Sequence, residues 1–309
     1  MEDSMELKKL LHAGGRYLTS PDYRFLVNAG LGFYDRMPDE AYLRRYFRAA
    51  MGKELDLEHP QTFNEKLQWL KLHDRKPEYT KMVDKIEAKK YVASILGEEY
   101  IIPTLGVWDS PDEIDFDALP EQFVLKCNHN SGLGLCICRD KSALDIPKVR
   151  RELRKGLREN YYLHRREWVY KDVKPRVFAE KYMIDGTGSS LTDYKVMCFN
   201  GTPKLISLDR DRFNMHTQDF YDVFWNKLEI KKFDPNSSYA LPVPPFLQQM
   251  LSHSATLSNG HPHLRVDWYF VNNHLYLGEL TFFDDAGFGP FHPDKWDRTL
   301  GSWIKLPSI

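Results

Sequence analysis

The residues best suited to chemistry lie in one stretch, Phe123 to Asp140, FVLKCNHNSGLGLCICRD. An apolar run ends in Lys126, crosses a polar loop and returns as Leu135, Cys136, Ile137 and Cys138. That pattern predicts strand, loop, strand, a hairpin and not a strand feeding a helix. Gly132 and Gly134 permit positive φ and close backbone approach, and Asn130 tolerates it. Exposed N–H groups beside a strand-end lysine suit a polyphosphate, because amides and ammonium converge on negative charge. This is not a Walker loop, since the GxxxxGK[ST] spacing and the following helix are both missing. The same residues also fit an ordinary glycine-bearing hairpin with a snorkelling lysine.

A second candidate group closes the chain's last hairpin. Asp267 and Glu279 stand twelve residues apart in LRVDWYF and LYLGELTFF, joined at Asn272-Asn273. Whether they cooperate depends on register, since a slip of one residue turns every side chain to the other face. A two-residue turn pairs Asp267 with Gly278 and separates the acids. An odd loop, Asn272 to His274, pairs Asp267 with Glu279 and Arg265 with Thr281, and on this reading only the odd loop makes a metal site. Two facing carboxylates and a hydroxyl are hard oxygen ligands, right for Mg²⁺. Without that pairing the hairpin is a surface element with stray acids.

Several elements must position these groups. Residues 1 to 55 read as helical, with a basic amphipathic piece around Tyr42 to Arg48 that can dock by its aromatic face or touch an anionic membrane surface as a peripheral contact. Thr62 and Glu65 form a capping box opening a helix with Phe63, Leu67 and Leu70 on one face. A second helix is expected from about Thr80 to Leu96, stopped by Gly97. Tyr100 to Ile102 read as a short strand ended by Pro103. Residues 145 to 160 read as a helix rich in Lys148, Arg150, Arg151, Arg154, Lys155 and Arg158, extended by Arg165 and Arg166. It is either a solvated face or a landing site for an acidic substrate. Arg176 to Met183 is a strand, and Asp193 to Phe199 turns at Asn200-Gly201 into Lys204 to Leu208. The tail from Phe291 to Ile309 shows no clear element.

Bulk properties exclude some classes. The chain has 309 residues and a net charge of -1, with 43 Lys and Arg against 44 Asp and Glu. Nucleic acid is therefore not expected as the main partner. The four cysteines form no CxxC pair, which fits reduced thiols in the cytoplasm. No signal peptide or transmembrane segment is read.

Taken together, FVLKCNHNSG, VFAEKYM, DYKVMCFNGTPKLISLDRDR and RVDWYF…YLGELTF resemble the ATP-grasp superfamily. More narrowly, the chain is similar to the TupA-like ATP-grasp amide ligases of bacterial surface-polysaccharide biosynthesis. PQTFNEKLQWLKL, VDKIEAKKYV, YIIPTLGVWD and FHPDKWD extend the likeness over roughly residues 50 to 300. The resemblance implies an α+β fold gripping ATP between two lobes. It implies a helical N-terminal extension at 1–55, an N-terminal α/β part at 56–120, a small lobe at 121–183 and a C-terminal lobe at 184–309.

It further implies that Lys126 holds ATP phosphate while the loop carrying Asn128, His129, Asn130, Ser131, Gly132 and Gly134 closes over the β and γ groups. Glu180, Lys181, Tyr182 and Met183 form the adenine-side hinge. Asp193 and Lys195 match an acidic-x-basic pair, Arg210 a basic residue that approaches an acyl phosphate, and Asp267, Glu279 and Thr281 the Mg²⁺ triplet. The implied activity joins an acidic sugar or polysaccharide to an amino acid or amine. This chain departs from the pattern at Asn130 (for glycine), Thr281 (for asparagine) and Asp284-Asp285, which read as extra metal ligation or altered acceptor recognition. Two other readings stand beside this one. A glycosyltransferase would use Asp209-Arg210-Asp211 as a D-x-D metal site, and a silent glycan- or nucleotide-binding module would use no catalytic group at all.

Overall fold

The computed structural model describes residues 14–184, 191–210 and 216–308. Two antiparallel sheets carry the architecture. A four-stranded sheet contains β1 (Thr104–Trp108), β2 (Phe123–Cys127), β3 (Cys136–Cys138) and β4 (Val177–Lys181) in the order β1-β4-β2-β3. A six-stranded sheet contains β5 (Asp193–Phe199), β6 (Thr202–Arg210), β7 (Thr217–Asp222), β8 (Lys227–Leu228), β9 (His263–Val271) and β10 (His274–Thr281) in the order β10-β9-β5-β6-β7-β8.

Each sheet has its own core. Phe123, Leu125, Cys127, Val177 and Ala179 alternate inward from the small sheet and meet Val149 and Leu153 of a helix spanning Ile146–Leu157. The large sheet buries Val196, Leu205, Ile206, Val266 and Trp268 in the main core. Helices α1 (Pro21–Gly30), α2 (Asp39–Met51) and α3 (Phe63–His73) join that same core through Phe25, Phe47 and Leu67. The capping box is present at the start of α3, where Thr62 and Glu65 satisfy each other's backbone N–H groups.

Three expectations about elements are corrected. The helix expected from Thr80 to Leu96 is two helices, α4 (Glu78–Val83) and α5 (Glu87–Leu96). Asp84 is extended (φ -65°, ψ 110°), and its Oδ1 accepts from the N–H groups of Ile86 and Glu87. A short side chain that bonds locally to backbone competes with helix continuation. The break turns Lys85 out of the helix, with its N–H on the Asn128 carbonyl at 3.1 Å.

The strand expected at Tyr100 to Ile102 begins instead after Pro103, and Glu98–Tyr100 is a 3₁₀ turn. Proline cannot donate to a ladder, so its carbonyl accepts from Lys181 N–H at 3.0 Å and pairing starts beyond it. The tail, read without an element, holds a helix at Lys295–Trp303. Tertiary contact makes that helix: Asp297 accepts from the Asn64 N–H at 3.0 Å at the start of α3, and Gly301 lies against the Gln61–Phe63 backbone with no room for a Cβ.

Candidate active site

The Phe123–Cys138 hairpin forms as read, with Phe123 opposite Cys138 and Leu125 opposite Cys136. Positive φ falls on Gly132 (93°) and Gly134 (72°), not on Asn130. Beneath the loop lies a cavity of about 290 Å³. Lys126, Asn130, Ser131, Gly132, Glu180, Lys181, Tyr182, Met183 and Asp193 line it, so nine residues picked from the sequence meet here. Apolar walls come from Val124, Leu133, Leu135 and Ile137, and Leu133 and Leu135 are 48% exposed, which suits a flat apolar ligand face.

Glu180 organises the charge on this wall. Its carboxylate takes Lys89 at 2.6 Å on one oxygen and Lys126 on the other. Burial pushes the Glu180 carboxyl up, but the two ammonium groups outweigh burial and hold it below the usual range. The Lys85 ammonium bonds the Asn130 carbonyl at 2.8 Å and lies 3.8 Å from Glu279. Lys85 therefore spans the gap between the glycine loop and the acidic hairpin. Neither Lys85 nor Lys89 is singled out by the sequence reading, although VDKIEAKKYV carries both. The missed signal is Asp84, a helix-breaking cap set immediately before a lysine.

Other residues picked from the sequence do not reach this cavity. Asn128 is fully buried and serves the backbone, donating to the Lys174 carbonyl at 3.0 Å and accepting from Arg176 N–H at 2.7 Å. A buried amide must spend its polar atoms on partners, and these are the ones in reach. The His129 ring lies 3.1 Å from the Glu159 carbonyl and ties the loop to the segment after the basic helix, as does Asn130, which lines the cavity and donates to the Glu159 carboxylate at 2.7 Å. Gly134 is a packing glycine, because a Cβ there would stand 2.7 Å from the Cys127 sulfur. Arg210, expected near an acyl phosphate, donates to Asp219 at 2.8 Å. Asp219 is wholly buried and also takes Lys227, and a buried carboxylate needs such cations. Lys195 pairs with Asp209, which further meets His216 at 3.0 Å; Asp211 lies outside the described residues.

The acidic hairpin reaches its expected register by an unexpected route. Asn272 (φ 51°) and Asn273 (φ 61°) make a two-residue turn, so Leu277 opposes Trp268. A bulge at Gly278 then shifts the ladder, and Glu279 opposes Asp267 while Thr281 opposes Arg265. The odd residue sits in the strand and not in the loop. A Cβ on Gly278 would stand 3.0 Å from the Tyr269 ring, which explains glycine at the bulge. Lys195 lies opposite Asp267 on the neighbouring strand.

Arg265 is the hub of this side. It donates to both Asp267 oxygens at 2.7 Å, to Asp284 at 2.7 Å and to Glu279 at 2.9 Å. Burial lifts the Asp267 carboxyl to about 7 against the pull of Arg265, while Lys85 and Arg265 overcome burial and hold Glu279 down at about 2. Asp284 and Asp285 neither extend a metal site nor face open solvent together; both hold the buried Lys232, and Asp284 also completes the Arg265 cluster. Among the described residues no three His, Cys, Asp or Glu side chains converge as a metal centre. Two carboxylates and the Thr281 hydroxyl, 3.3 Å from Glu279, still fit Mg²⁺, which takes few protein ligands and completes its shell with water and phosphate.

A model of the TupA-like ATPgrasp family matches residues 65–305. The chain belongs to that family. The ATP-grasp family's α+β fold is accordingly the one seen here, and ATP and Mg²⁺ are the cofactors of the family. Among solved structures, the chain is similar to D-alanine-D-alanine ligase from Helicobacter pylori at 13% identity and a TM-score of 0.48, covering 79% of this chain and 69% of that one. It is also similar to the D-cycloserine synthetase DcsG at 14% identity and a TM-score of 0.40, covering 74% and 72%. D-alanyl-alanine synthetase A from Vibrio cholerae follows at 10% and 0.39, covering 71% and 57%. The chain thus spans between 57% and 72% of the length of these three proteins. No curated protein matches the sequence. Among the described residues no helix is long and apolar enough to cross a membrane.

Proposed function

We propose that this protein is an ATP- and Mg²⁺-dependent carboxylate–amine ligase that activates a carboxylate as an acyl phosphate and forms an amide. The observation that carries this reading is the facing arrangement of charge: Lys85, Lys89 and Lys126 on the loop side, Asp267 and Glu279 on the hairpin side, with Lys85 3.8 Å from Glu279. A carboxylate is a poor acyl donor because oxide leaves badly. Moving the terminal phosphoryl of ATP onto a carboxylate oxygen replaces oxide with phosphate, which leaves readily. Little covalent work falls to the protein, so positioning and charge neutralisation dominate.

Lys126 and Lys85, which line the cavity, would hold phosphate oxygens, Glu180 would keep Lys126 in place with Lys89 behind it, and the Gly132 segment would cover the phosphates. Glu279 and Asp267, with Thr281, would hold Mg²⁺, which when bound would supply compensation for phosphate charge. Arg265 orients both carboxylates and stands ready to meet charge on the transferring group.

The carboxylate is read as a uronic acid of a surface polysaccharide or its precursor, and the amine as an amino acid. The family likeness supports this, as do Lys148, Arg151 and Arg158 on the basic helix. Arg150, Arg154 and Arg166 contribute less, being tied to Ile114, Asp112 and the Tyr34–Met37 carbonyls respectively. Lys126→Ala and Glu279→Gln should each lower ADP release by about a thousandfold or more with the fold retained. Unchanged ADP release in either variant refutes the assignment.

A further inference from the structure

Asn130 lines the cavity and is tied to three other segments at once. Its side-chain amide donates to the Gly156 carbonyl at 3.2 Å, on the basic helix Ile146–Leu157, and to the Glu159 carboxylate at 2.7 Å, just beyond it. Both partners are acceptors, so it is the amide nitrogen that must face them. The Asn130 backbone carbonyl takes the Lys85 ammonium at 2.8 Å. The far end of the loop is attached to the same helix without any side chain. A Cβ on Gly156 would stand 2.9 Å from Gly134 Cα and 2.8 Å from the Cys127 sulfur, so the two glycine backbones meet directly. Between these two attachments Ser131, Gly132 and Leu133 line the cavity and are exposed.

Glu159 is the charged member of this attachment. Its side chain is 9% exposed, with one carboxylate oxygen on Asn130 and the other 2.9 Å from Nε2 of His164, which is 47% exposed. By charge alone, a carboxylate this close to a phosphate-binding loop opposes an anionic ligand. What it supplies in return is a charge-assisted hydrogen bond, stronger than the bond a neutral acceptor would give. A loop already held in its binding shape also spares the ligand the free energy of ordering it.

We infer that Glu159 is a positioning residue for the nucleotide phosphates; this rests on the ligase reading above. Its carboxylate fixes Asn130, and Asn130 in turn fixes the Lys85 ammonium and the entry to the Ser131–Leu133 segment. Gly134 against Gly156 fixes the exit. Only the three residues between are left to close over phosphate.

The test measures affinity for ATP with Mg²⁺ by titration calorimetry on the full chain, for wild type, Glu159→Gln, Glu159→Ala, Asn130→Ala and the double variant Glu159→Ala with Asn130→Ala. If Glu159 acted through its charge alone, both of its substitutions would tighten ATP. Positioning predicts a split between them. Glu159→Gln keeps a carbonyl oxygen for Asn130 and should bind ATP as well as wild type or better, whereas Glu159→Ala should bind about tenfold more weakly. Asn130→Ala reaches the same bond from the other side, at a residue without positive φ, and should also lose about tenfold. The double variant should lose no more than the larger single loss, because both substitutions remove one bond. In each folded variant kcat at saturating ATP should stay near wild type while the ATP KM rises. ATP affinity within about twofold of wild type in Asn130→Ala, equal loss in Glu159→Gln and Glu159→Ala, or losses that multiply to about a hundredfold in the double variant would overturn the role of Glu159. Wild type that binds no ATP would instead overturn the ligase reading beneath it.

Discussion

The two walls of the cleft solve opposite electrostatic problems with mirrored clusters. On the small-sheet side one carboxylate, Glu180, lies between two lysines, Lys126 and Lys89. On the hairpin side one guanidinium, Arg265, lies among three carboxylates, Asp267, Glu279 and Asp284. The first cluster has a surplus positive charge and the second a surplus of negative charge. On the proposed reading a polyphosphate would complete the first and a divalent cation the second, so that the two ligands would bind together. Flexibility also differs. Lys126 is 26% exposed in its side chain and can lean toward a ligand, whereas the Arg265 side chain is 9% exposed and fixed by four bonds. Lysine serves as a movable point charge and arginine as a rigid fork.

Removing the hub of either cluster separates them most sharply. Arg265→Met strips the buried Asp267 of both its guanidinium bonds and leaves Asp284 to Lys232 and Glu279 to Lys85, and should cost about 3–5 kcal/mol, measured by urea denaturation. Added Mg²⁺ should restore part of that loss, and should stabilise this variant more than wild type; absence of any Mg²⁺ effect would break the proposed complementarity. Glu180→Gln should be milder, about 1–3 kcal/mol, since the freed lysines can turn to water.

Next in size is Gly278→Ala. It crowds the bulge that brings Glu279 opposite Asp267, and should cost about 1–3 kcal/mol and lower turnover further than its stability loss accounts for. Unchanged activity would mean that the register shift is incidental. The smallest effect is a pH dependence. The Glu180 carboxyl is held below its ordinary range in the folded state, so its contribution is present above the unfolded value and is lost as pH falls through the folded one. Melting curves of wild type and Glu180→Gln should therefore converge in acid. A gap that widens as pH falls would contradict the pairing.

Much of this site was legible because it is local. The hairpin at Phe123, the Asn200-Gly201 turn and the strand ending in Glu180 are carried by alternation and turn chemistry, which neighbouring residues decide. What escaped depends on contacts between distant segments. The acids at Asp267 and Glu279 do meet, but through a bulge at Gly278, because a glycine inside a strand gives no account of how many residues face its partner. Lys85 escaped because the periodicity from Thr80 to Leu96 is helical throughout, and only Asp84 bonding its own backbone interrupts it. Arg210 and Asn128 were right in type and wrong in aim, drawn off by a buried Asp219 and by the Lys174–Arg176 backbone.

The most direct measurement uses a uronic acid whose carboxylate oxygens carry a heavy isotope, incubated with ATP, Mg²⁺ and an amine. The account predicts that one labelled oxygen appears in the released phosphate, in step with ADP, because the carboxylate oxygen leaves bonded to the transferred phosphoryl. Phosphate formed in step with amide but free of label would contradict activation through an acyl phosphate.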